Sequence, residues 1–235
     1  MNNGFTSILL GTGLKVIGLF ILAFIMFRRW RRQTKRYFSD FPFLMGLTFV
    51  MYAVGKIYDL LVYYYLSNGQ PFKDLSEIHS PYGLELIKLR FFFSPMLVII
   101  PYVIIMLEIW MEGKVKWQVV ITSSFSVSSI TAILICQTYQ QLLLINASIS
   151  VVPVLISVIS FFLIYKRKRM PEINSLLIAI GQLLFIIFQF IRPIWATIGG
   201  DPVWGLTWIA EIVETIPLIL NGWGFLTPAP YADEV

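Results

Sequence analysis

The 235-residue chain has one cysteine, one histidine and few charges, with Asp, Glu, Lys and Arg making up 13% of it. Each shortage excludes something. Cys136 has no second cysteine with which to form an intramolecular disulfide. A zinc site needs three or four Cys, His or carboxylate ligands, so the seven-helix zinc hydrolases built on several histidines are excluded. A Ser-His-Asp triad would have to use His79, which lies in a polar loop with no nucleophile elbow to serve it. No Gly-rich phosphate loop occurs either. The expectation is therefore a protein that is not an enzyme, with no catalytic residues, no metal and no cofactor. The charge content is also only about half the ~25% of a soluble domain. Most of the surface must face something other than water.

What is present is apolar: 57% of residues, with a mean hydropathy of +0.77. These residues fall into seven runs, most of them about 20 residues long, which is the length that crosses a ~30 Å hydrocarbon core at ~1.5 Å per residue. The spans read as 5–27, 41–66, 84–110, 119–136, 142–165, 174–198 and 206–226. The expected fold is an all-α membrane protein, a single domain over 1–235 forming a seven-transmembrane-helix bundle, multi-pass in the cell membrane. In the first run the basic cluster follows the apolar stretch instead of preceding it, and no small-residue cleavage site occurs. It reads as a retained anchor, not a signal peptide.

Lys and Arg set the expected orientation, because cytoplasmic loops hold the excess. The first connector carries Arg28, Arg29, Arg31, Arg32, Lys35 and Arg36; the third carries Lys114 and Lys116; the fifth carries Lys166, Arg167, Lys168 and Arg169. The opposite side has one basic loop residue, Lys73. This places the N-terminus outside and the C-terminus inside. Topology accounts for the net charge of +5, so no nucleic-acid partner is expected. The basic inner loops suit a protein partner, and the same clusters would also suit anionic lipid headgroups. The other partners expected are the bilayer itself and a small ligand arriving from outside. A homo-oligomer is compatible with the sequence.

Five of the 18 basic residues remain within or at the edge of spans: Lys15, Lys56, Lys88, Arg90 and Arg192. Asp59, Glu85, Glu211 and Glu214 join them, and Glu108 sits apart. Counting from the inner start of its span at ~1.5 Å per residue, Lys56 lies roughly 22 Å across and Arg192 roughly 27 Å. Glu211 and Glu214 lie ~8–12 Å from the outer face, and Lys15 is near the midplane. The charges thus gather in the outer half.

Helical spacing sharpens this. Tyr52, Lys56, Asp59 and Tyr63 form one polar stripe on the second span; Gln182, Gln189 and Arg192 form another on the sixth; Glu211, Glu214, Pro217 and Asn221 form a third on the seventh. A charge facing lipid near the bilayer centre costs at least ~2.5–3.5 kcal/mol, so the stripes should face one another. One reading is an outward-opening ligand pocket between spans 1, 2, 3, 6 and 7, with 4 and 5 as apolar scaffold. Its ligand-binding residues would be Tyr52, Lys56, Asp59, Gln189, Arg192, Glu211 and Glu214. The alternative is a set of structural ion pairs such as Lys56–Asp59 and Arg192–Glu214. For Glu85, Lys88 and Arg90, near the interface, structural pairing or snorkelling to water is favoured over ligand binding. Trp195, Trp204 and Trp208 read as interfacial belt residues.

The chain also repeats a pattern. Spans 1 and 5 both end in an aromatic and a basic burst, Met26-Phe27-Arg28-Arg29 and Ile164-Tyr165-Lys166-Arg167. Spans 3 and 7 both carry a proline after isoleucine, Ile100-Pro101 and Ile216-Pro217. This suggests a 3+1+3 parallel repeat, an arrangement that some transporters use to place a site between halves. Arg192-Pro193-Ile194-Trp195, followed by Gly199, resembles the sixth helix of microbial opsins. The retinal-bearing lysine of the family's seventh helix has no counterpart, since no lysine follows Lys168. Lys88 to Trp110, with Arg90, Pro95, Pro101 and Glu108, is similar to the third helix of seven-helix sensor regions that precede some prokaryotic histidine kinases. That resemblance implies signalling through a separate partner, because the sequence ends at Val235.

Three functions remain open. The first is a receptor-like sensor module that binds a small polar or charged ligand. The second is a carrier or proton-coupled transporter using Glu211 and Glu214. The third is an accessory subunit packed against a larger complex through spans 4 and 5. Sparse polar residues in the inner half (Thr48, Gln182, Asn221 and Trp223) favour binding without transport.

Overall fold

The computed structural model describes residues 3–67, 81–92, 97–197 and 207–234. Within them the protein is helical, with no strand. The helices are α1 (Asn3–Arg31), α2 (Phe41–Ser67), α3 (Pro81–Phe91), α4 (Leu97–Trp110), α5 (Val115–Ile135), α6 (Tyr139–Lys166), α7 (Ser175–Thr197), α8 (Thr207–Val213) and α9 (Thr215–Leu226). A 3-10 turn, Ala232–Glu234, follows. Five helical stretches are long and apolar enough to cross a membrane: Thr6–Arg31, Phe41–Leu61, Val115–Ile135, Gln140–Lys166 and Trp208–Leu226. Val98–Trp110 and Ser175–Ile191 are apolar but shorter. This is a membrane protein built as a helical bundle.

Helix ends differ from the hydropathy boundaries for local reasons. The first helix continues to Arg31, because Arg28, Arg29 and Arg31 fall in its last turn, where cations complement the negative end of the helix dipole. The helix expected from 142 starts at Tyr139, where Thr138 and Gln141 form a capping box. The third expected span, 84–110, is recorded as α3 and α4, with residues 93–96 outside the described part. The seventh span is divided at Glu214, which separates α8 from α9. Pro217 explains the division: it has no N–H to offer the carbonyl four residues earlier, and its ring crowds that carbonyl.

The main core joins α1, α2, α4, α6, α7 and α9 through residues such as Met26, Met45, Ile105, Phe161, Ile178 and Phe225, each at most 1% exposed. Two glycines let α7 and α9 approach closely. A Cβ on Gly181 would meet the Asn221 nitrogen at 2.8 Å, and one on Gly224 would meet the Ile178 nitrogen at 2.9 Å. Small residues at such crossings are how membrane helices gain packing that lipid would otherwise supply equally well. By contrast α5 is peripheral, burying only Ser129 and Ile133.

One end of the bundle gathers three parts of the chain. The Arg29 guanidinium donates to the Phe225 carbonyl and, at 3.4 Å, to the Glu172 carbonyl. The Asn174 amide donates to the Gly224 carbonyl at 2.9 Å, and the Ala229 amide to the Pro171 carbonyl at 2.9 Å. The ends of α1 and α9 and the start of α7 therefore meet, and the C-terminal segment folds back on them, with Tyr231 against Tyr165.

Candidate functional site: a buried chain of alternating charges

The site begins with helical registers. On α2, Tyr52, Lys56 and Asp59 occupy one face at i, i+4 and i+7; on α8, Glu211 and the bordering Glu214 are three apart. α1 adds Lys15 and α3 adds Arg90. Packing α1 against α2 and α8 converges these groups into a single alternating series. Glu214 Oε2 accepts from Lys15 Nζ at 2.6 Å, and the same ammonium reaches Glu211 Oε2 at 2.9 Å. The other oxygen of Glu211 accepts from Lys56 Nζ at 2.8 Å. Lys56 lies 3.5 Å from Asp59 Oδ2, and Asp59 Oδ1 accepts from Arg90 Nε at 2.6 Å. The second Arg90 contact, Nη2 to Oδ2, is 3.5 Å. The order is Glu214, Lys15, Glu211, Lys56, Asp59, Arg90.

Burial explains why the charges alternate. The Lys15 and Glu214 side chains are 0% and 1% exposed, and those of Lys56, Asp59 and Glu211 are within 3–4%. Stripping water from such an ion costs several kcal/mol, which only close opposite charges and further hydrogen bonds can offset. Each inner member touches an opposite charge on both sides. Tyr52 completes the arrangement: its ring lies 5.3 Å from Lys15 Nζ and 5.9 Å from Lys56 Nζ, within cation–π range. Phe185 meets that ring edge-on at 6.2 Å.

A cavity of about 310 Å³ adjoins the Lys56–Asp59–Arg90 end. Its walls come from α2, α3, α4, α6 and α7; most are apolar, including Phe91, Val98, Val154 and Phe185. Polar atoms enter from Asn146 and Ser150 on α6 and from Gln189 on α7. One end of the cavity thus carries charges and the remaining lining is mostly apolar.

The seven sequence-selected residues divide as follows. Tyr52, Lys56, Asp59 and Gln189 line the cavity, with Gln189 on an exposed part of α7. Glu211 and Glu214 lie behind Lys56 and Lys15, away from the lining. Arg192 is in α7, but its side chain is outside the described residues, as are those of Tyr63, Trp195 and Trp204. The expected partner of Lys56, Asp59, is present. The expected enclosure needs correction: the fifth apolar span, α6, lines the cavity, whereas α1 and α8 hold the far end of the charge series.

Two contributors were missed. Lys15 is the lone charge in the first span, and the expense of an intramembrane charge alone was enough to nominate it. Arg90, outside the expected ligand set, binds Asp59 and is only 20% exposed, as the ion-pair alternative allows. The neighbouring Glu85–Lys88 pair, at 2.8 Å with Glu85 63% exposed, does match an interfacial pair. No known protein family, curated protein or solved structure matches the chain.

Proposed function

We propose that this protein is a receptor-like or sensor module of the cell membrane that binds a small polar or charged ligand in an outward-facing pocket. The observation that carries the reading is the cavity of about 310 Å³ with Lys56, Asp59 and Arg90 at one end and mostly apolar walls elsewhere. At roughly 30 Å³ per water-sized group, it holds on the order of ten heavy atoms. A ligand with a charged head and a short apolar body fits that division. Its head would compete with Asp59 for Lys56 and Arg90, and the series would pass the disturbance to Glu214, where α8 ends and α9 begins. A carboxylate beside a helix break is suited to coupling binding to helix movement.

The proposal includes seven crossings, with α3 and α4 together forming one and α8 and α9 another. The N-terminus would be outside and the C-terminus inside. The basic connectors support this, and so does the meeting of Arg29, Glu172 and Phe225 at one end of the bundle. Labels placed at 67–83 should react from outside intact cells, and labels near Lys168 only after permeabilisation. The reverse pattern overturns the orientation and with it the outward-facing pocket.

For binding, octanoate, octyltrimethylammonium and leucine present an anionic, a cationic and a zwitterionic head on bodies of suitable size. At least one should raise the Tm of the protein in nanodiscs, and Val154→Phe, which enlarges a buried side chain of the cavity wall, should abolish the shift. Equal shifts in the two proteins, or none with any head, count against the reading. A carrier remains the second reading, favoured by the interruption at Glu214 between two helices of one apolar span.

A further inference from the structure

A second polar cluster lies on the side of the bundle where α7 begins. Asn221 of α9 donates through Nδ2 to the Tyr102 hydroxyl of α4 at 2.6 Å. Gln182 of α7 lies within electrostatic range of that hydroxyl without a hydrogen bond of full geometry. Both Gln182 amide atoms and Asn221 Oδ1 are buried with no partner among the described residues. Ser175, one face-repeat earlier on α7, has a buried hydroxyl in the same condition. Gln182 and Asn221 are 2% and 3% exposed, and Ser175 is fully buried.

An unsatisfied buried amide atom costs about 1–3 kcal/mol, and lipid tails offer nothing to satisfy it. Three such atoms around one hydroxyl include donors and acceptors together. Water is the molecule small enough to serve both, using the two to four partners that hold buried waters in place. The cluster also has neighbours at regular intervals. Ser175 to Gln182 and Asn221 to Glu214 are each seven residues along a helical path, about 10 Å. Two or three hydrogen-bonded waters bridge such a gap at ~2.8 Å per step. Beyond Glu214, the charge series continues in contacts of 3.5 Å or less to Arg90 and the cavity.

We infer that Gln182, Asn221 and Tyr102 form an internal water-binding site that gives protons a route between the Ser175 end of the bundle and the Glu214–Lys15 end of the charge series. A proton entering at one end releases one at the other, and only O–H and N–H bonds are exchanged. The inference stands whether or not the cavity takes a ligand. It also changes the weight of the inner-half polar residues: two of the four, Gln182 and Asn221, converge on Tyr102.

Two measurements on the full chain test it together. Hydroxyl radicals generated by X-ray radiolysis label buried residues that touch bound water. In nanodiscs Tyr102, 6% exposed, should be labelled at least several-fold faster than Phe161, 0% exposed, and Gln182→Leu should remove the difference. In phosphatidylcholine vesicles with potassium and valinomycin balancing charge, the protein should dissipate a pH gradient several-fold faster than protein-free vesicles do. Gln182→Leu and the smaller change Ser175→Ala should return it to the protein-free rate. Tyr102 staying as unlabelled as Phe161, or proton entry at the protein-free rate in the parent, overturns the inference. Unchanged flux in a folded Ser175→Ala or Gln182→Leu protein overturns it equally.

Discussion

The two polar regions of this bundle solve the same problem in different ways. At the Glu214–Arg90 series every charge meets an opposite one, and five of the six side chains are almost completely buried. At the Tyr102 cluster one good hydrogen bond is accompanied by three amide atoms with no protein partner among the described residues. The difference follows from the size of the penalty. An unpaired buried ion costs several kcal/mol and has to be paired within the protein. An unpaired amide costs about 1–3 kcal/mol, which a single water can relieve. Helix packing thus pairs every ion of the series within the protein and leaves three buried amide atoms without a protein partner among the described residues.

The comparison breaks most visibly at Lys15, the ammonium that joins two acids. Lys15→Met should lower unfolding free energy by ~3–5 kcal/mol, because Glu214 and Glu211 lose the ammonium they share. Denaturation in mixed micelles measures this. Adding Glu214→Gln to that variant should recover part of the loss; an additive double variant would mean the two side chains are not coupled. Glu214→Gln alone should lose a similar amount if the pair is permanent. A Glu214 that works as a switch should instead leave the fold intact and remove the pH dependence of binding or transport.

Next in size is the crossing of α7 and α9. Gly181→Ala places a methyl 2.8 Å from the Asn221 nitrogen, a backbone atom that cannot swing away. A loss of about 1–3 kcal/mol is expected from this overpacking. An unchanged melting temperature would show that α9 can shift freely on α7.

Gln182→Leu sharpens the comparison by sign. A dry cluster should become more stable by about 1–3 kcal/mol, since the orphaned amide is gone. A hydrated one should be unchanged or slightly weakened, because the water loses its partners. The smallest effect belongs to Glu85→Gln. The Glu85–Lys88 pair is exposed, and its removal should change stability by less than ~1 kcal/mol. A larger loss would mean that Lys88, which also donates to the Leu134 carbonyl at 3.1 Å, depends on Glu85 to hold α3 against α5.

Legibility of the site varied from helix to helix. On α2 the spacing of Tyr52, Lys56 and Asp59 displays the inward face directly, and on the last apolar span the spacing of Glu211 and Glu214 singles out the two acids that meet Lys15. The first apolar span, 5–27, has Lys15 as its one charge and no stripe, so its rotational phase is unreadable from sequence. On α6 the polar lining residues, Asn146 and Ser150, are neutral and carry little penalty anywhere on a helix, so nothing in the sequence marks its cavity face. The partner of Arg90 was not legible, because depth from a span end says nothing about what stands opposite; Asp59 of α2 holds it.

Sequence by itself determined that this is a helical membrane protein with charges grouped at one level. That information is one-dimensional: the length of apolar runs against bilayer thickness, and the expense of each ion. Tertiary structure decided which charges meet. Lys15 and Glu214 are 199 residues apart and touch only because α1 packs on α8. In water a helix declares its buried face by apolar periodicity. In this bundle both the core-facing and the outward-facing sides are apolar, as buried Leu19 and exposed Phe20 and Phe24 of α1 illustrate. Periodicity then carries little phase, and only contact between helices fixes which side faces in.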